Sequence, residues 1–68
     1  MNIKYDIGAD ILILVLRESP PVDAVEEPGG VIVSYGEDGN PVSVEFLKAS
    51  QKSLIIPGQA SVPILTAP

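Results

Sequence analysis

The run Ile11-Leu12-Ile13-Leu14-Val15-Leu16 places six apolar residues in unbroken succession. Successive side chains of a strand point to opposite faces, so such a run presents apolar groups on both sides of any sheet it joins. A buried helix could carry a similar run. Its shortness, its β-branched content and the closing Arg17-Glu18-Ser19-Pro20-Pro21 favour a strand. Both faces of that strand then need cover. The chain has 68 residues, room for one core, and a domain this small buries only about 60% of the surface that its unfolded form exposes. With no cysteine and no histidine, it lacks the disulfides and the common metal ligands that brace small domains. Self-association is the expected remedy.

On the N-terminal side of the run, Ile3 and Tyr5 alternate with Lys4, and Asp6-Ile7-Gly8-Ala9-Asp10 supplies turn residues, which predicts a first hairpin. Beyond the prolines, Val22 to Glu27 reads as a loop or a short edge strand ended by Pro28-Gly29-Gly30. Val31 to Tyr35, the connector Gly36-Glu37-Asp38-Gly39-Asn40 and Pro41 to Lys48 form the clearest hairpin. In its second arm Val42, Val44 and Phe46 alternate with Ser43 and Glu45, the pattern of a strand with one side on a core. The expectation is an all-β fold, a small antiparallel sheet of about four strands from two hairpins. A single domain over residues 1–53 would be followed by an apolar, proline-containing tail over 54–68. Within the tail Leu54, Ile55 and Ile56 are expected to pack on the sheet, and the segment from Ser61 to Leu65 is a candidate to lie against a second protomer or another protein.

Composition excludes more chemistry than it suggests. Thiolate nucleophiles, imidazole bases and zinc sites all need residues that are missing. The net charge is −5, with Lys4, Arg17, Lys48 and Lys52 the only cations, which disfavours a nucleic-acid partner. One phenylalanine, two tyrosines and no tryptophan give no platform for stacking bases. No apolar stretch approaches a membrane span, and the start lacks the pattern of a secretory leader, so a soluble cytoplasmic protein is expected.

Asp6 and Asp10 are the most site-like pair, since two carboxylates brought together can hold a hard cation; turn formation explains both residues more simply. Asp38-Gly39-Asn40 opens like a calcium loop, yet Val42 stands where the next alternate ligand belongs. Glu45 on the outward side of its strand is read as solvated or as paired across strands with Lys4 or Lys48. The serines have no histidine partner, and no glycine cluster forms a phosphate loop. No enzyme activity and no cofactor is expected.

Several of these segments, taken in order, resemble a small prokaryotic family. Met-x-Ile-Lys-Tyr-Asp at the start, Ala9-Asp10-x-Leu12, Gly30-Val31-Ile32-Val33 and Glu37-Asp38-Gly39-x-x-Val42-x-Val44-Glu45 are similar to the domain of unknown function 2283 family over residues 1 to 52. The chain departs from that pattern at Ile13, where a tyrosine is expected, at Ser34 and Gly36, where aspartates usually flank the tyrosine, and at Ser43, a frequent glycine. The resemblance implies a compact β-rich domain with no assigned activity. Some relatives look like the antidote partner of small toxin-like proteins. The functional expectation is a non-catalytic protein–protein interaction module, a homodimer that could also take another small protein as partner. A self-associating domain with no other partner is the alternative, and a carboxylate-dependent metal binder or enzyme ranks below both. The candidate interface residues are Leu12, Leu14, Leu16, Leu54, Ile55, Ile56, Ile64 and Leu65.

Overall fold

A computed structural model describes residues 1–52, and these residues form one antiparallel sheet with no helix among them. Its strands are β1 (Asn2–Asp6), β2 (Ile11–Val15), β3 (Asp23–Glu27), β4 (Val31–Tyr35) and β5 (Pro41–Leu47), arranged in the order β1-β2-β5-β4-β3. The two expected hairpins are β1–β2 and β4–β5, and they join edge to edge through β2 and β5. Of the two readings open for Val22 to Glu27, the edge strand is the one adopted: β3 adds a fifth strand by pairing with β4. All five of its residues are exposed. Asp23, Glu26 and Glu27 place charge along that outer edge, which discourages pairing with a further strand.

The register sorts the side chains into two unlike faces. Ile3, Leu14, Val44, Val33 and Val25 form one row across the five strands, and Tyr5, Leu12, Phe46, Val31 and Glu27 form the next row on the same face. The opposite face carries Lys4, Ile13, Glu45, Ile32 and Glu26 in one row, with Asn2, Val15, Ser43, Ser34 and Ala24 in another. One face is therefore almost wholly apolar and the other is mixed. The β2 run satisfies this pattern as the sequence requires, since its even-numbered leucines enter the apolar face and Ile11, Ile13 and Val15 the mixed one.

From β2 the chain must pass the ends of β5 and β4 to reach β3, a Greek-key connection. Residues 16–22 make this passage against the β4–β5 turn. The amides of Leu16 and Arg17 both donate to the Val42 carbonyl, at 2.7 and 3.3 Å, and the Val22 amide donates to the Tyr35 carbonyl at 2.8 Å. Val42 is available for this role because the register steps there: Ser34 faces Ser43 while Tyr35 faces Pro41, leaving Val42 as the additional residue of a bulge. It is 4% exposed.

Arg17 pins the crossing. Its guanidinium forms a two-pronged ion pair with Asp38, with Nη1 to Oδ2 at 2.8 Å, and also donates to the carbonyls of Asn40 (3.0 Å) and Pro41 (3.3 Å). Gly36 makes room for it: a Cβ at that position would lie 2.9 Å from Nη2 of Arg17 and 3.2 Å from Cγ2 of Val42. The Gly36→Ala variant should therefore displace the pin and lose about 1–2 kcal/mol, a fall in Tm of several degrees by thermal melting. At the other end of the sheet Lys48 holds φ at 52°, a left-handed conformation that costs a lysine side chain more than a glycine. A Lys48→Gly chain should gain on the order of 0.5 kcal/mol by chemical denaturation, the relief of strain exceeding the added freedom of its unfolded state.

Candidate functional site

Among the described residues two groups of polar side chains gather at the two ends of the sheet, and each holds parts of the fold together. At the β1–β2 end, Asp10 sits at φ 57°, a conformation that aspartate tolerates better than most residues. Its carboxylate accepts hydrogen bonds from the Tyr5 hydroxyl (2.7 Å), the Ser50 amide (3.0 Å) and the Ser50 hydroxyl (2.6 Å), and its carbonyl accepts from the Ala49 amide (2.9 Å). Asp10 thus ties the turn after β5 to the tip of the first hairpin, and Ala49 becomes fully buried beneath it. Asp6 turns elsewhere and accepts from the Ala9 amide at 3.1 Å. Of the two aspartates that sequence placed together as a candidate cation pair, Asp6 bonds within its own turn while Asp10 reaches out to Tyr5 and to the turn after β5.

These contacts also set the protonation of the group. Hydrogen bonds from Ser50 and then Tyr5 hold the Asp10 carboxyl below its ordinary value, and Asp10 in turn raises the Tyr5 phenol. A carboxylate held low is a weaker base than a free one. At the opposite end, Arg17 and then the Asn40 amide hold the Asp38 carboxyl well below the usual carboxylate range. Asp38 accepts from the Asn40 amide at 3.1 Å, as its turn role predicts. The ion pair to Arg17 escaped sequence reasoning, which treated that arginine only as part of the stretch closing a strand; nothing local connects positions so far apart in the chain.

The remaining candidate is a surface rather than a cluster. Leu12 and Leu14 lie in the apolar face, and Leu16 follows them at the crossing. Leu12 is fully buried and serves the core, Leu14 is half-buried, and Leu16 is 38% exposed. In the same face Ile3, Val31, Val33, Val44 and Phe46 stay half-buried and Val25 is 40% exposed. Leu54, Ile55, Ile56, Ile64 and Leu65, named with them as interface candidates, lie outside the described residues. Glu45 stands between Ile13 and Ile32 on the mixed face rather than directly opposite either lysine suggested for it.

Depressed carboxyl values make stability fall in acid. Asp10 and Asp38 contribute fully above their ordinary pKa of 3.8, and that contribution is lost as pH drops through their lower folded values. Tyr5 behaves oppositely, contributing below its ordinary 10.0 and losing that contribution as pH rises through its higher folded value. Melting curves recorded against pH should show both declines; Asp10→Asn should melt lower at neutral pH with a shallower acid decline, and Tyr5→Phe should remove the alkaline one.

No helix among the described residues is long and apolar enough to cross a membrane. No curated protein and no solved structure matches the chain. The family model described as Protein of unknown function (DUF2283) matches residues 2–50, which takes in all five strands and both tethering networks. With that match spanning most of its length, the chain belongs to the DUF2283 family.

Proposed function

We propose that this domain is a non-catalytic protein-interaction module that acts as a homodimer, its apolar face packed against that of a second copy. The observation that carries the reading is the row Ile3, Leu14, Val44, Val33 and Val25: five apolar residues span all five strands, and no second layer of strands or helices lies over them among the described residues. A sheet with one apolar face needs a partner layer about 10 Å away. Five strands about 4.8 Å apart and five residues long make a footprint of about 24 by 17 Å, on the order of 400 Å². Two such footprints with their side-chain relief reach on the order of 1,000 Å², the lower bound for a stable interface. The polar residues that touch this face, Asp23 and Glu27, sit on the β3 edge, which suits the rim of an interface.

The tethers at both sheet ends support a binding role over a catalytic one, because their carboxylates and hydroxyls are spent on one another. The finer reading, an antidote-like partner of a small toxin-like protein in the cytoplasm, rests on the family resemblance and on a net charge of −5 that would steer toward a basic protein. A domain that only self-associates would show the same dimer and capture nothing else.

Light scattering on the full chain tests the dimer. A two-copy mass at micromolar concentration is expected, and Val33→Lys should shift it toward the monomer while circular dichroism keeps its β signature. The milder Val44→Thr should weaken association in the same direction. A folded parent chain that stays monomeric at that concentration overturns the proposal.

A further inference from the structure

The mixed face holds a carboxylate that none of the ion pairs or side-chain hydrogen bonds found among the described residues takes up. Glu45 lies on β5, the middle strand of the sheet, with Ile13 of β2 on one side and Ile32 of β4 on the other. It is half-buried, and the ion pair found among the described residues joins Arg17 to Asp38, leaving Glu45 outside it. Lys4 shares its row but stands two strands away beyond Ile13. An open groove of about 470 Å³ runs over this region, with Ile13 and Val15 in its floor, Ser34 and Ser43 beside Glu45, and Pro20 and Pro21 of the crossing segment as a wall.

The groove has the features of a seat for one long cationic side chain. A carboxylate flanked by aliphatic groups is poorly solvated, and a counter-charge brought to it is screened less than on open surface. Arg17, the cation at the end of the groove, is already held by Asp38 and two carbonyls and cannot turn to Glu45 without abandoning the crossing. Ser34 is 9% exposed and Ser43 is half-buried, and both line the groove beside Glu45. An arginine stem can lie along Ile13 and Val15 while its planar head meets the carboxylate two-pronged and donates a further N–H to a hydroxyl. The surplus of negative charge over the chain favours the approach of such a partner.

We propose that this groove seats an arginine side chain from a basic partner protein, with Glu45 as its counter-charge and the Ser34 and Ser43 hydroxyls as secondary acceptors. The inference deepens the interaction-module reading by naming what the module binds. It uses the face opposite the dimer contact, so the two stand or fall separately.

The test is a titration of the isotope-labelled full chain, followed by NMR, with a blocked pentapeptide carrying one central arginine between valines, and with the same peptide carrying glutamine instead. Amide shifts at Ile13, Ser34, Ser43 and Glu45 are expected with the arginine peptide alone. Glu45→Gln, which keeps shape and removes charge, should weaken binding by about tenfold or more, the loss of a charge-assisted two-pronged pair. Light scattering on the same variant should return the parent's oligomeric state. Equal binding by Glu45→Gln, shifts confined to the Asp23–Glu27 edge, or no response at millimolar peptide would each overturn the arginine seat. A monomeric parent that still gives the groove shifts would remove the dimer and leave this site standing.

Discussion

The pairing of β2 with β5 is the contact on which everything else in the molecule depends. Each hairpin can close on its own turn, but a two-stranded ribbon is marginal in water, and only the seam from Ile11–Leu47 to Val15–Ser43 converts two ribbons into a sheet with a continuous apolar face. That seam joins residues remote in sequence, so its loop entropy is met before its contacts form. It buries Leu12 completely and brings Phe46 beside it.

Two polar tethers hold the seam at its ends, and they divide the work by position. Arg17 fastens the crossing segment to the β4–β5 turn through Asp38 and two carbonyls, which lets β3 reach the far edge. Asp10 fastens the turn after β5 to the first hairpin through Ser50 while Tyr5 braces it from β1. Both use one charged group to satisfy several donors or acceptors at once, an economical device in a chain with no cysteine to cross-link. They also occupy the most conspicuous polar residues at the two ends of the sheet with contacts that hold the fold. Among the described residues the sheet presents an apolar face on one side and a groove with a carboxylate on the other.

Much of this was legible in local pattern. The alternation of Val44, Phe46, Ser43 and Glu45 reports a two-sided strand because side-chain direction in a strand depends only on parity. The turns at Asp6–Asp10 and Asp38–Asn40 were legible because aspartate and glycine favour those backbone states through interactions spanning two or three residues. Val22 to Glu27 stayed ambiguous between loop and edge strand for the same reason in reverse: an exposed strand carries acidic residues and little apolar alternation, and only pairing with β4 makes it a strand.

The sequence by itself determined that this chain is an all-β domain with hairpins at set places, that six apolar residues need cover on both faces, and that thiol and imidazole chemistry are absent. Those properties follow from residue type and from interactions within a few positions. The tertiary structure alone decided that β2 meets β5, that Arg17 finds Asp38, that Asp10 joins Tyr5 and Ser50, and that Glu45 stands between two isoleucines. Each of these joins positions that have no local relation. Their meeting is fixed by the register in which two hairpins bury their apolar faces together, and that register is a property of the whole sheet.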